Sequence, residues 1–488
     1  MDKSRCAGVL LHPTSLPGPL NNGDIGHEAY RFIEFLYANG LKVWQMLPLG
    51  PTHEDNSPYQ CLSAHAGNPE LISLDWLADR EWLALDKIKS VKTDQNYRAE
   101  CLRQAIHTFQ KEAGDEWRTR LSKFKIKHSY WLEEYALFVA LKNKFQMLPW
   151  YLWPVPFCQR FPDALKMAAD ELSEEIDRVI IEQFIFFTQW QEIRSYADRF
   201  GIKIFGDMPI FVAHDSVDVW AHRSNFKIDA DGNMTSVAGV PPDAFSDTGQ
   251  KWGNPLYDWD YMQQDGFRWW VNRVTTQIEL YDWIRIDHFR GLDACWEIPI
   301  NDETAENGQW RDVPGEALLS VLYETFHNLP IIAEDLGVIT ERVIKLKNSF
   351  RLPGMKVLQF AFDGNTHNPH LPHQHKQDDV IYTGTHDNDT TAGWLKDEKS
   401  FSRKYFMVYS GCCNDSDAEK IRSMWRMALS SVSFLCMFPM QDLLLLDSAA
   451  RMNTPGSIGG NWSWRFNWQQ VRPEVLKELA KLITVYQR

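Results

Sequence analysis

The sequence predicts an α/β protein, a (β/α)8 TIM barrel with helical and loop insertions on its C-terminal face. Three observations carry that prediction. Eight short apolar runs rich in β-branched residues are spread over 488 residues, as strands of a buried parallel sheet read. Helical patterns lie between them, the alternation of a closed parallel barrel. Several runs end in charged or polar residues, which belong at a barrel mouth rather than in a core.

The runs are Gly8–Leu11, Lys42–Leu47, Lys203–Met208, Trp283–Ile286, Pro330–Ala333, Met355–Phe360, Val380–Thr383 and Ser433–Met437. Glu28–Asn39 after the first and Glu341–Ser349 after the fifth have helical periodicity. A bare βα repeat takes roughly 30 residues, and the fifth to seventh runs keep that spacing. After the second, third and seventh runs the spacing is far wider. We therefore expect one catalytic barrel over 1–488, with inserted subdomains at about 50–200 after strand two, 211–280 after strand three and 388–430 after strand seven. The first insertion is helical over Glu100–Ala113, Tyr130–Lys144 and Asp170–Arg199, whereas Phe211 to Tyr281 reads as a loop rich in Gly, Pro and Asp. No internal repeat or dividing linker interrupts the chain.

Composition narrows the partners. A net charge of −14 argues against nucleic acid, whose phosphates need clustered Lys and Arg. It is compatible with a neutral ligand such as a sugar. Tryptophan stands out at 21 residues; most indoles fill cores, but their faces also stack on pyranose rings. The eight cysteines include no C-x-x-C pair and read as reduced thiols of a cytosolic protein. The apolar run before His12-Pro13 is too short for a signal peptide. The best membrane candidate, Val432 to Leu446, is broken by Pro439, Gln441 and Asp442.

The chemistry gathers at four strand ends. The third ends in Gly206-Asp207-Met208-Pro209, the fourth in Arg285-Ile286-Asp287-His288-Phe289, the fifth in Ala333-Glu334-Asp335-Leu336-Gly337 and the seventh in Gly384-Thr385-His386-Asp387-Asn388. A lone Asp after a strand is often a helix N-cap, but three acids accompanied by Arg285, His288 and His386 exceed what capping needs. The spacing of these groups matches no metal motif, so neither a metal nor an organic cofactor is expected. Paired carboxylates are what glycosidic bond chemistry requires, one ionised to attack and one protonated to donate. Arg285 and Asp287 share a face by the strand period of two, so the cation can hold Asp287 ionised. Asp335 points away from Glu334, and a crowded carboxylate site would keep Glu334 protonated.

In this order the strand ends resemble the hallmark regions of the α-amylase superfamily. Within it, the chain resembles the amylomaltases, or 4-α-glucanotransferases, of glycoside hydrolase family 77. The resemblance runs from about Gly8 to Phe466. It is carried by His12-Pro13-Thr14-Ser15-Leu16-Pro17-Gly18, by Ser57-Pro58-Tyr59-Gln60, by Gly239-Val240-Pro241-Pro242-Asp243-Ala244-Phe245-Ser246, by Gly249-Gln250-Lys251-Trp252-Gly253-Asn254-Pro255-Leu256-Tyr257, by Asn453-Thr454-Pro455-Gly456 and by Asn461-Trp462-Ser463-Trp464-Arg465. The resemblance implies that Asp287 is the nucleophile, Glu334 the general acid/base and Asp387 a transition-state stabiliser. It implies that Arg285, His288 and His386 line the cleaved bond, and that Tyr59, Gln250 and Trp252 contact donor and acceptor sugars. Ser57, Gln60, Asp207, Asp363 and Asn461 are implied as further sugar contacts, and the 239–257 segment as a mobile loop over the site.

The expected reaction is transfer of a segment of an α-1,4-glucan to a new 4-hydroxyl on glucose or another glucan, by two inversions with net retention. The expected partners are α-1,4-glucans and maltooligosaccharides, with glucose as acceptor. A glucan hydrolase or related transglycosylase of the superfamily is the alternative. A decayed glucan-binding protein is disfavoured because all three carboxylates are present. A barrel enzyme for phosphorylated substrates lacks its Gly-rich loop. The family occurs in bacteria and plant plastids. The chain carries no large N-terminal extension or transit peptide, so the expectation is a cytoplasmic protein, or a plastid stromal one with its leader removed.

Overall fold

Each of the eight apolar runs forms a strand of one parallel sheet in the computed structural model, which describes residues 3–18, 20–85, 96–242, 246–396, 400–412, 416–457 and 459–488. The strands in chain order are β1 (Cys6–Leu10), β2 (Val43–Gln45), β3 (Lys203–Met208), β4 (Ser236–Val240), β5 (Gln250–Pro255), β6 (Trp283–Ile286), β7 (Ala294–Pro299), β8 (Gln309–Asp312), β9 (Ile331–Ala333), β10 (Gly354–Val357), β11 (Asp379–Tyr382) and β12 (Leu435–Pro439). The parallel sheet runs β10-β11-β12-β1-β2-β3-β6-β9. Its two ends meet through the Ala333 N–H, which donates to the Pro353 carbonyl at 2.8 Å. The sheet is therefore a closed (β/α)8 barrel, as the sequence predicted. The sixth run is shorter than expected as a strand: after Val357 it tightens into a 3-10 turn over Leu358–Phe360.

Alternation along the strands separates two cores. Val43, Phe205, Trp283, Ile332, Met355, Val380, Tyr382, Leu435 and Met437 pack together inside the barrel. Their neighbours Ala7, Val9, Trp44, Ile204, Ile284, Ile331, Ile381 and Cys436 belong to the layer between sheet and helices. With both faces covered, the strands read as unbroken apolar runs. Gly8 serves this filled lumen: a Cβ there would lie 2.6 Å from that of Val43 and 2.8 Å from the Met437 sulfur.

The period of two then fixes the mouth. Two residues beyond Phe205 is Asp207. Two beyond Trp283 is Arg285, and two more is Asp287. Two beyond Ile332 is Glu334. Each inward row thus climbs from the apolar lumen to a charged group at the C-terminal end.

The long segment after β2 holds helices Tyr97–Glu112, Asp115–Lys127, Leu132–Lys144 and Pro162–Glu171, then Ser173–Arg199, which leads into β3. The periodic stretch read as one helix over Asp170–Arg199 is thus two, separated at Leu172. The second of them also packs on the barrel itself, since the Trp190 indole donates to the Leu280 carbonyl at 2.9 Å. The segment from Phe211 to Tyr281 is more ordered than a loop. It contributes β4 and β5 to an antiparallel sheet of order β5-β4-β7-β8. A glycine and a proline in β5 hide its strand character, and its sheet is completed by β7 and β8, which follow β6. After β11 come helices Thr391–Lys396, Phe401–Ser410 and Asp417–Ser430. All these insertions leave from C-terminal strand ends, on the side of the charged groups. No helix among the described residues is long and apolar enough to cross a membrane.

Candidate active site

Arg285 organises the charged mouth. It is buried, and its two terminal nitrogens hold two acids: Nη1 lies 2.5 Å from Asp207 Oδ2 and Nη2 lies 2.8 Å from Asp287 Oδ1. Asp207 and Arg285 are register partners on neighbouring strands, so adjacent inward rows bring the pair together. The guanidinium has no proton to lose near neutrality and binds carboxylates through fixed donors. Burial pushes the Asp207 carboxyl up, and Arg285 together with the Tyr59 hydroxyl, which donates to Oδ2 at 2.7 Å, pulls the other way.

Immediately after Asp287 the backbone turns into the left-handed region at His288, with φ of 52°. This conformation is uncommon for a residue with a side chain, and such outliers cluster at functional sites. The turn lets the His288 N–H donate to Glu334 Oε2 at 2.6 Å, while the Leu336 N–H donates to Oε1 at 2.9 Å. Glu334 is 8% exposed, and burial lifts its pKa to about 7; Arg285 lowers it and the nearby Asp287 charge raises it further. Burial thus exceeds carboxylate crowding as the cause. Asp335 faces the other way, accepting from Lys347 Nζ at 2.5 Å and from the Met355 N–H at 2.7 Å. It ties β9 to β10 and to the following helix.

The third acid stands beyond β11. Asp387 Oδ2 lies 3.2 Å from His386 Nε2, and Asn453 Nδ2 donates to Oδ1 at 2.6 Å. Burial opposes its ionisation, but His386 and Asn453 outweigh that and hold its pKa at about 2. The buried His386 ring is disfavoured as a cation by burial, yet the Asp387 charge prevails and its pKa is raised. Tyr59 stacks on this ring at 5.3 Å and touches Nε2 through its hydroxyl at 2.9 Å. Tyr59 therefore links Asp207 to His386 across the mouth.

The 57–60 turn and β5 form one wall. The Ser57 hydroxyl accepts from the Tyr59 N–H at 3.4 Å, and Gln60 Nε2 donates to Asn254 Oδ1 at 3.3 Å. The Trp252 indole donates to Gln250 Oε1 at 3.0 Å and meets the His288 ring edge-on at 4.9 Å. Burial drops the His288 pKa to about 4, so this ring is neutral at pH 7. No group of three or more His, Cys, Asp or Glu among the described residues is arranged to hold a metal.

The 4-alpha-glucanotransferase family model, Glyco_hydro_77, matches residues 11–470. The chain belongs to this family. A 4-alpha-glucanotransferase of Thermus thermophilus is 46% identical, covering 97% of each chain. One of Synechocystis sp. is 45% identical over 100% of this chain and 99% of its own. The structure of an amylomaltase from Streptococcus agalactiae in complex with acarbose superposes with a TM-score of 0.95 at 37% identity, over 99% of this chain and 100% of that one. The chain is accordingly a 4-alpha-glucanotransferase of the glycoside hydrolase 77 family, and its barrel is that of the amylomaltases.

The fold of this glucanotransferase thus brings Asp207, Arg285, Asp287, Glu334, His288, His386, Asp387 and Tyr59 into one connected cluster, with Trp252 against His288 and Gln250 behind it. Two residues of the sugar-contact set stand apart from these contacts. Asp363 is exposed, and its Oδ1 accepts from the Asn365 N–H in its own turn at 2.9 Å. Asn461 binds its chain neighbours, accepting from the Thr454 N–H at 3.0 Å and donating to the Ser457 carbonyl at 3.2 Å. Of the segment implied as a mobile loop, 239–257, the parts in β4 and β5 are paired strands, and Asp243, Ala244 and Phe245 lie outside the described residues. Sequence reasoning did not single out Asn453 or Trp462. The Trp462 ring lies 5.8 Å from Tyr59 and 6.0 Å from His386. Both residues stand in motifs that carried the family resemblance, and that was the available signal.

Proposed function

We propose that this glucanotransferase disproportionates α-1,4-glucans and maltooligosaccharides by double displacement, with Asp287 as nucleophile, Glu334 as general acid/base and Asp387 as a binder of sugar hydroxyls that stabilises the transition state. The observation that carries the reading is the contrast between two neighbouring acids: Asp287 sits 2.8 Å from a guanidinium, while Glu334 is buried with a pKa near 7. A buried carboxyl that keeps its proton beside one paired to a cation supports this assignment of acid and nucleophile.

In the first step Asp287 attacks C1 of the donor sugar and Glu334 gives its proton to the departing glycosidic oxygen. The shorter glucan leaves, and a β-glycosyl ester remains on Asp287. Glu334, now ionised, takes the proton from the 4-hydroxyl of an incoming glucan or of glucose, whose oxygen attacks C1 and releases Asp287. Two inversions give net retention. Neutral His288, His386 with Tyr59, and Arg285 line the position of the cleaved bond. Trp252, with Gln250, and Tyr59 offer faces for donor and acceptor rings, and Ser57, Gln60, Asp363 and Asn461 complete the set of sugar contacts. Transfer over hydrolysis requires a bound acceptor and poorly placed water, and the β4–β5 hairpin beside His288 supports that exclusion. Every step uses the chain's own carboxyls. With eight cysteines in no C-x-x-C pair and a charge of −14, we place the enzyme in the cytoplasm, or in a plastid stroma, acting on glucans rather than nucleic acid.

Maltotriose alone tests the reading. The expected products are glucose together with maltopentaose and longer chains, at a constant number of reducing ends. Reducing ends that rise in step with substrate loss would make the protein a hydrolase.

A further inference from the structure

Next to the Tyr59–Asp207 hydrogen bond lies a cavity of about 40 Å³, walled in part by Tyr59, Asp207, Arg273, Gln277, His65 and Cys61. Three buried polar atoms of these walls have no hydrogen-bond partner among the described residues: Asp207 Oδ1, Arg273 Nε and Gln277 Oε1. Their residues are 2%, 2% and 8% exposed. The rest of each side chain is engaged. Asp207 Oδ2 serves Tyr59 and Arg285. Arg273 Nη1 and Nη2 donate to the carbonyls of Ile210 and Pro209 at 3.2 and 2.5 Å. Gln277 Nε2 donates to the Ala64 carbonyl at 3.5 Å.

A buried polar atom without a partner costs roughly 1–3 kcal/mol, and here the residues that carry two such acceptors and one such donor line the same cavity. A polar cavity needs roughly 10–15 Å³ of such volume per water and two to four polar partners to hold one. This cavity therefore has room for on the order of three waters. Water can donate to Asp207 Oδ1 and to Gln277 Oε1 and can accept from Arg273 Nε.

We propose that the cavity is a hydration chamber serving Asp207, and that Arg273 and Gln277 are positioning residues holding the waters that complete its hydrogen bonding. The proposal rests on the catalytic reading above, because Asp207 reaches the reaction through Arg285, which in turn holds Asp287. An Asp207 carboxylate bonded on both oxygens stays ionised and keeps Arg285 in place. One left bare on Oδ1 takes up a proton more readily and loosens the chain of contacts. The groups acting on Asp207 are Tyr59, Tyr281 and Tyr382, the cation Arg285, and Asp287 and His386. Of these, Tyr59 and Tyr281 also line the cavity, as does Arg273.

The test has two arms on the full-length enzyme. A crystal structure of the wild type should show an ordered water within about 3.2 Å of Asp207 Oδ1 that also contacts Arg273 or Gln277. Gln277→Met keeps the volume and removes the acceptor, together with the long Nε2 bond to the Ala64 carbonyl. It should lower kcat on maltotriose on the order of three- to tenfold, leave KM nearly unchanged, and move the acid limb of the kcat profile to higher pH; a repacking defect alone would not shift that limb. Clear density with no water at Oδ1, or a folded Gln277→Met with wild-type kcat and acid limb, overturns the proposal. If that variant does not fold, the crystallographic arm decides. Neither failure touches the functional reading, which stands or falls on the wild-type products.

Discussion

The backbone N–H of His288 donates to Glu334 Oε2 at 2.6 Å. The residue that follows the proposed nucleophile therefore fixes the proposed acid/base, and a left-handed turn at His288 makes that possible. Main-chain N–H groups hold Glu334, and the Arg285 guanidinium holds Asp287, so a substitution at either acid leaves the other's partners in place. This allows each role to be tested with little disturbance of the other.

Asp287→Asn keeps the volume and removes the attacking charge. Arg285 retains Asp207 as a partner, so the fold should survive. Each ~1.4 kcal/mol of lost transition-state stabilisation is tenfold in rate, and loss of the nucleophile should cost several decades of kcat on maltotriose with an unchanged circular dichroism spectrum. A variant retaining more than a tenth of the wild-type rate would remove Asp287 from that role.

Glu334→Gln should separate the two steps. The amide neither gives nor takes the proton, but α-maltotriosyl fluoride needs no proton to leave. Asp287 should still attack it, and the second step should stall for want of a base. Intact-protein mass spectrometry should then show the maltotriosyl adduct. Absence of an adduct, combined with β-configured product from the wild type, would defeat the double-displacement assignment.

The same variant makes a pH prediction. Burial raises the Glu334 pKa to about 7 in the folded enzyme, against an ordinary value of 4.5. Because the folded pKa is raised, its contribution to stability is complete below the unfolded pKa and is lost as pH rises through about 7. Glu334→Gln has no such loss. Its Tm relative to wild type should therefore rise between pH 5 and pH 8 in a thermal melt, and a flat difference across that range would contradict the raised pKa. In the wild type, the first step should slow as pH climbs past about 7, where the proton donor is lost.

Asn453→Ala removes the amide that donates to Asp387 at 2.6 Å. A hydrogen bond to a charged group contributes about 1.5–3 kcal/mol, so kcat/KM on maltotriose should fall on the order of tenfold or more. The Asp387 pKa, held near 2 in part by this bond, should rise. An unchanged kcat/KM would leave Asn453 with a structural role only.

The sequence by itself determined the barrel and the rows of its mouth. Eight buried strands leave eight apolar runs, and a period of two carries each inward row from Trp283 to Arg285 and Asp287, or from Ile332 to Glu334. The same alternation turned Asp335 away from Glu334, where Lys347 receives it. These are local properties of a strand, so they are written locally. What only the tertiary structure decided depends on residues far apart in the chain. Strand β5 is completed as a sheet through β4 by β7, Asn453 reaches back to Asp387, and Tyr59 spans from Asp207 to His386. The pKa of Glu334 belongs to this second class. Crowding by charge could be argued from strand ends, but its larger cause is burial, and burial exists only once the barrel has closed and the insertions have folded over its mouth.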